Sequence, residues 1–199
     1  MPQPELQLFK QNITYAEDLV ATAVALSAHL TAAISTDDLL RSALVQGVSA
    51  FDHFIHEEVR ARMLQIQAGT LPRTSGFDRF RVSLRSVNIA MSGGGTTWLE
   101  SEILEQHGYL SFQNPDKVAD AFRHVSDVGL WPAISKELSL PQDSLKRQLK
   151  LIVDRRNKIA HEADTDLTPP RSRYPINEVD VRDSLNFLKI LVDAIVAVV

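Results

Sequence analysis

Residues 141–164, PQDSLKRQLKLIVDRRNKIAHEAD, carry the clearest structural pattern in the chain. Their apolar residues recur at helical spacing and project within about 40° of Leu145; they are Leu145, Leu149, Ile152 and Ile159. Arg156 projects about 20° from Leu145, in the middle of this apolar stripe. Asn157 and His161 lie one turn apart on an adjoining face, with Asp154 three residues before Asn157. The pattern predicts a helix over 141–161 that ends in a group of polar side chains.

The polar residues at this helix end suit chemistry at a phosphate. A guanidinium among core-facing positions is normally paired or functional, and Arg156 can bind phosphate oxygens with two parallel hydrogen bonds. His161 lies in the last turn, where the helix dipole favours the imidazolium and where a histidine can transfer protons near neutral pH. Asn157 can hold the imidazole or a phosphate oxygen, and we take Asp154 and Arg155 as supporting residues.

Together these groups match the needs of RNA transphosphorylation. In that reaction a 2′-hydroxyl attacks its own phosphate, a histidine moves a proton, and an arginine stabilises the charge on phosphorus. No metal or other cofactor is required. One helix end supplies one histidine, whereas general acid and base act on opposite sides of the phosphorus, so we expect a two-fold dimer to bring two such ends together. The alternative is that the same side chains only cap the helix, because short motifs also arise by chance.

Composition limits the other possibilities. The chain has 199 residues, 44% hydrophobic and 23% charged, which suits a single domain with one core. It has no cysteine, which excludes disulfides, zinc ribbons and thiol catalysis. The net charge of −4 gives no overall attraction to nucleic acid, so RNA contact requires a local cluster of Lys and Arg.

The two ends of the chain predict a cytoplasmic protein without a membrane span. The first residues, MPQPELQLFKQN, have no basic stretch followed by an apolar one, so we expect no signal peptide. The closing stretch LKILVDAIVAVV is apolar, but Lys189 and Asp193 interrupt it and it is shorter than the ~18 residues that a spanning helix needs.

Elsewhere the spacing and the capping signals predict an all-α bundle of four main helices with additional short ones, in one domain over 1–199. A capping box from Thr14 to Glu17 places the first helix at 15–34. Further helices are predicted at 36–67, 98–107, 115–126, 130–139 and 177–199. Residues 68–97 are treated as an insertion or long connector, in which 80–91 is ambiguous between helix and strand and the glycines at 93–95 suit a hinge.

Two other groups of residues are candidates. His53, His56 and Glu57 form H-x-x-H-E on the second helix, but no third ligand is evident, so a local pair of Asp52 with His56 is preferred to a metal site. An alternative is that this helix lines the cleft and lends Asp52 or Glu57 to it.

The second group is the densest basic and aromatic stretch of the chain. It suits contact with single-stranded RNA by charge and stacking, the alternative being a solvated insertion with two core aromatics. Its members are Arg73, Arg79, Arg81 and Arg85, interleaved with Phe77 and Phe80.

Three stretches, in order, resemble the HEPN superfamily of small all-α domains found in RNA-cleaving toxins and defence proteins. RNKIAH at 156–161 resembles its R-N-x-x-x-H signature, and VSAFDHFIHEEV (48–59) and YLSFQNPDKVADAF (109–122) resemble its RiboL-PSP-type branch. The resemblance implies a metal-independent endoribonuclease that acts as a homodimer on RNA, with Arg156 and His161 as the catalytic pair and Asn157 in support. It also implies a toxin or defence role, with an antitoxin or another operon partner possible.

The same resemblance marks two qualifications. Some HEPN members have lost catalysis and bind RNA or a protein partner instead, which is the alternative reading for this chain. HEPN toxins paired with nucleotidyltransferase antitoxins often carry a tyrosine two residues after the histidine, but that position here is Ala163. We therefore do not expect control by modification of such a tyrosine.

Overall fold

The computed structural model describes residues 3–29, 35–93, 95 and 97–199. Within these ranges the fold is all-α, as predicted, and its only β-type pairing is an isolated bridge between Thr165 and Arg173. The helices are α1 (Pro4–Ser27), α2 (Asp37–Gln67), α3 (Ser75–Asp78), α4 (Leu84–Met91), α5 (Thr97–His107), α6 (Pro115–Phe122), α7 (Leu130–Leu138), α8 (Gln142–Glu162) and α9 (Glu178–Val198).

The long helix α2 lies at the centre of the fold. It packs against α1, α8 and α9 and also contacts the shorter α5 and α6. Its buried residues include Phe51, Phe54 and Ile55, none of which is more than 1% exposed. Gly47 allows α9 to approach closely, because a Cβ at this position would collide with Leu185. The four long helices α1, α2, α8 and α9 are thus joined through one core.

The predicted start of the first helix is wrong. The helix begins at Pro4, a residue suited to the first turn, and its buried positions Phe9 and Ile13 continue the apolar stripe upstream of the expected start. Thr14 lies inside the helix, where its hydroxyl donates to the carbonyl of Lys10 at 3.0 Å. The capping-box pattern was therefore a chance match. Helix α1 ends at Ser27 and residues 28 and 29 form a turn, so the predicted helix is also too long at this end; its residues 30–34 lie outside the described residues.

The other predicted helices are present, with shifts at their ends. Asn114 and Asn177 cap α6 and α9 as predicted, accepting hydrogen bonds from Asp116 N and Asp180 N, each at 2.9 Å. Helix α6 ends at Phe122, four residues earlier than expected. Helix α8 covers nearly the predicted range and continues one residue beyond His161.

The segment 68–97 contains two short helices, and its ambiguous part forms helix α4. Thr74 caps α3 by accepting from Phe77 N at 3.0 Å. Helix α4 is anchored to α5 by Glu102, which accepts hydrogen bonds from the hydroxyls of Ser83 and Ser86. The pKa of the Glu102 carboxyl is lowered to about 2, chiefly by the hydrogen bond from Ser86. Of the three glycines expected to form a hinge, Gly93 and Gly95 have φ of +82° and +59°, and residue 94 is outside the described part.

A cluster of rings joins this segment to the rest of the fold. Phe80 makes edge contacts with His107 and His124, and His107 in turn makes an edge contact with Phe112. The Nδ1 atom of His107 is buried and has no hydrogen-bond partner among the residues that the structure describes. Burial, with the nearby charges of His124 and His56, lowers the pKa of His107 to about 4.

Candidate active site

A pocket of about 480 Å³ lies beside the last turns of α8. Three polar side chains of this helix that the sequence singled out, Arg156, Asn157 and His161, all line it. They do so because they project onto neighbouring faces within six residues of helix. The opposite wall is formed by the segment 111–114, and the remaining lining residues on α8 are Val153, Asp154 and Glu162.

Arg156 has most of its hydrogen-bonding capacity free. Its side chain is partly buried, and its Nη1 donates to the side-chain oxygen of Asn157 at 2.9 Å. Its Nε is buried without a partner in the described structure. A guanidinium has five N–H donors, so an anion that entered the pocket would find several of them unoccupied.

His161 and Asp154 lie on the solvent side of the same pocket, and both are exposed. His161 is in the last turn of α8, one turn after Asn157. An exposed imidazole at the mouth of a pocket can exchange protons with solvent and with a bound molecule. The arrangement therefore combines a fixed cation in the wall with a titratable group at the opening.

Asp52 positions the opposite wall and does not line the pocket. Its carboxylate accepts hydrogen bonds from the backbone N–H of Phe112 at 2.6 Å and from the amide of Gln113 at 3.1 Å. His56, one turn further along α2, lies 4.0 Å from Asp52 and packs its ring against Phe112. Asp52 thereby attaches α2 to the segment that carries Gln113 and Asn114 into the pocket.

The end of α8 is fixed by a buried ionic cluster that the sequence analysis missed. Asp164 is fully buried, and its carboxylate lies 2.7 Å from Arg41 Nε and 2.7 Å from Arg155 Nη1. Arg41 is itself only 5% exposed and also donates to the carbonyl of Tyr174 at 2.9 Å. Ala163 and Asp164 have φ of +50° and +57°, so the helix stops here and the chain turns back. Arg155 therefore points into this cluster, away from the pocket.

Comparison with known families identifies the part of the chain that holds this site. Residues 110–199 match the family model RiboL-PSP-HEPN, and the match includes both the 111–114 wall and the whole of α8. This part of the chain is therefore similar to a RiboL-PSP-type HEPN domain. No curated protein and no solved structure matches the chain.

The remaining predicted residues on α2 lie away from the pocket beside α8. Glu57 pairs with Arg60, whose Nη1 donates to Glu100 at 2.9 Å, so this group connects α2 to α5. His53 is exposed on α2. Within the described residues, no group of three His, Cys, Asp or Glu side chains is arranged to hold a metal ion.

The arginines of the segment 68–97 also lie outside the pocket beside α8. Arg73 is paired with Asp78 at 2.6 Å and lies over the buried ring of Phe77. The guanidinium of Arg79 donates to Ser75 at 3.3 Å. Arg85 lines a second cavity, between α4 and α5. Since Phe77 is buried and Phe80 packs in the ring cluster, neither aromatic of this segment is free to stack on a base.

Helix α9, the last helix within the matched residues, is a core helix. Its residues Leu188, Leu191 and Val192 are fully buried, and it contacts α1, α2 and α7. Along the described ranges of the chain, no helix combines the length and the apolar character needed to cross a membrane.

Proposed function

We propose that this protein is a metal-independent endoribonuclease that cleaves RNA by transphosphorylation and acts as a homodimer. The observation that carries the proposal is that Arg156, Asn157 and His161 line one polar pocket, in which Arg156 retains unpaired donors. The HEPN family match, which covers all three residues, supports an RNase-type or RNA-binding module. A role as a toxin or defence effector, with RNA as substrate and a possible antitoxin, is part of the same proposal.

Each group has a defined part in the proposed reaction. His161 accepts the proton of the ribose 2′-hydroxyl while the hydroxyl oxygen attacks the adjacent phosphorus. Arg156 donates hydrogen bonds to the non-bridging oxygens, which carry the additional charge of the pentacoordinate phosphorus. The bond from phosphorus to the 5′-oxygen then breaks, leaving a 2′,3′-cyclic phosphate and a 5′-hydroxyl. Asn157 holds the guanidinium through its side-chain oxygen, and Asp154 supports the polar rim.

A second chain completes the acid and base pair. The 5′-oxygen needs a proton as it leaves, and His161 is the only imidazole among the described residues that line this pocket. A two-fold related copy would place a second His161 on the opposite side of the phosphorus, where it acts as the general acid. Dimerisation is therefore part of the proposed mechanism.

A catalytically silent module that binds RNA or a protein is the second candidate. The observation in its favour is that the described residues of one chain supply a single imidazole to the pocket, so a monomer would have a phosphate-binding arginine without a complete acid and base pair. Under this alternative Arg156 would bind the backbone of RNA, which would stay intact.

The test is cleavage of single-stranded RNA in EDTA by wild type, Arg156→Ala and His161→Ala. We expect wild type to cleave in EDTA and each substitution to reduce kcat by about 10²-fold or more. His29→Ala is a matched control, because His29 is exposed in the turn after α1 and should leave the rate unchanged. Loss of activity on chelation, or survival in His161→Ala, would contradict the mechanism. RNA that is bound but never cut by wild type would favour the silent module.

A further inference from the structure

The polar face of α8 continues beyond the pocket towards the start of the helix. Lys150 precedes Asn157 by seven residues, and Arg147 precedes Asp154 by seven. Seven residues correspond to a rotation of about 20° around the helix and a distance of about 10 Å along its axis. Both Lys150 and Arg147 are exposed. The exposed face of α8 thus carries two cations in line with two residues that line the pocket.

These two cations are not neutralised by the fold. In the described structure neither Arg147 nor Lys150 forms an ion pair, whereas Lys146, on the side of α8 nearer α6, lies 3.6 Å from Asp116. Helix α8 has six Lys and Arg against three Asp and Glu, although the net charge of the whole chain is −4. Such a local excess of positive charge is what attracts a polyanion to an acidic protein.

The segment 68–97 is a poorer place for the RNA backbone. Arg73 already has an ion-pair partner in Asp78, and the two aromatics expected to stack on bases are packed in the fold. None of the four arginines of this segment lines the pocket that holds His161. A strand bound there would need a separate path to the scissile phosphate, whereas a strand along α8 enters the pocket directly.

We propose that Arg147 and Lys150 form a phosphate-binding track that holds the RNA strand along α8 on one side of the scissile phosphate. The inference rests on the proposed function, since it takes RNA as the ligand of the pocket. The contacts are to phosphates, so they add affinity without base preference. They are also remote from the reacting atoms and equally available before and during the reaction, so they lower KM and leave kcat unchanged.

The binding experiment uses the inactive His161→Ala protein, so that the RNA stays intact. Its affinity for a single-stranded RNA is measured by fluorescence anisotropy over a range of salt concentrations, with and without Arg147→Gln and Lys150→Gln. Each lost phosphate contact on a single strand lowers the slope of log K against log salt by about 0.7, so the pair should lower it by about 1.4. The affinity at physiological salt should fall about tenfold.

The control matches the change in charge. Lys136→Gln and Arg182→Gln remove one lysine and one arginine from exposed positions of α7 and α9, neither of which lines the pocket. This pair should leave the slope unchanged. The charge-conserving pair Arg147→Lys and Lys150→Arg should retain most of the wild-type slope of log K against log salt. Thermal melting of each variant establishes that the fold is intact.

Cleavage by the otherwise wild-type protein provides the second readout. Arg147→Gln with Lys150→Gln should raise KM about tenfold at unchanged kcat. If Arg147→Gln with Lys150→Gln has the same salt dependence and KM as the control pair while wild type cleaves RNA, the proposed phosphate-binding track is wrong and the nuclease proposal stands. A slope that falls only in Arg81→Gln with Arg85→Gln would instead place the strand on the segment 68–97. A slope that falls as expected in a protein that never cleaves would support the track and reject the nuclease.

Discussion

Substitution of Asp164 by alanine should strongly destabilise the protein, although Asp164 does not line the pocket. Its side chain is fully buried between Arg41 and Arg155, and Arg41 is 5% exposed. Removing one partner of a buried ion pair typically costs about 3–5 kcal/mol, because the other charge remains in a low-dielectric site. Arg41 keeps its bond to the carbonyl of Tyr174 and its contact with Asp38, so we expect a loss of about 3 kcal/mol. At about 2–4 °C per kcal/mol, Tm should fall by roughly 6–12 °C.

The assay is urea unfolding and thermal melting of wild type and Asp164→Ala in the same buffer. Asp78→Ala is the matched control, because it also removes an aspartate paired with an arginine, but both side chains of that pair are more than half exposed. Exposed pairs contribute about 0–1 kcal/mol, so the control should melt within about 4 °C of wild type. Equal losses in the two variants would refute the reasoning, because burial would then add nothing to the value of the pair.

A double substitution tests the cause of the loss. If most of it comes from stranding the Arg41 charge, Arg41→Leu combined with Asp164→Ala should lose clearly less than the sum of the two single changes. Additive losses would instead indicate that Asp164 acts through its backbone conformation. Asp164→Asn separates the two causes further, since asparagine tolerates the left-handed backbone and keeps an acceptor but carries no charge.

Three shorter predictions follow from other parts of the structure. Burial holds the pKa of His107 near 4, below the ordinary 6.5, so on acidification the unfolded chain protonates this imidazole before the folded protein does. The free energy of unfolding should therefore fall by roughly 2–3 kcal/mol as pH drops from 6.5 towards 4. His107→Phe should flatten this part of a Tm-against-pH curve. Ser86→Ala should raise the pKa of the Glu102 carboxyl and cost about 1–3 kcal/mol in urea unfolding, with faster hydrogen exchange in α4. If the cleft is shared between subunits, mixed Arg156→Ala and His161→Ala chains should give heterodimers whose RNA cleavage differs from that of either parent; no activity with proven heterodimers would mean that each site must be whole.

Local signals predicted most of the helices. The asparagine caps of α6 and α9 were identified because a cap involves residues two or three positions apart. The start of α1 was missed because Thr14 and Glu17 have the spacing of a capping box, yet a threonine inside a helix can satisfy its hydroxyl by donating to a carbonyl four residues back. Only the packing of Phe9 and Ile13 on the core shows which arrangement is adopted.

The residues of α8 that line the pocket could be predicted from the sequence, but the buried ionic cluster that fixes the end of this helix could not. Arg156, Asn157 and His161 lie within six residues, so helical geometry alone placed them near one another. The bond from Arg41 to Asp164 joins residues 123 positions apart, and no spacing rule connects them. The available signal was Arg41 itself, a charged residue beside the apolar Leu40 and Ala43 of α2, which predicts a buried partner without identifying it.

The neighbours Arg155 and Arg156 serve different parts of the structure at one helix end. Successive residues of a helix point about 100° apart, so Arg155 reaches the buried Asp164 while Arg156 faces the pocket. The last turn of a helix frays unless its end is held, and fraying here would separate His161 from Arg156. Asp164 prevents this, because its N–H donates to the carbonyl of Lys158 at 2.9 Å while its carboxylate is held by Arg41 and Arg155. The cluster thus keeps an exposed imidazole in register with a partly buried guanidinium.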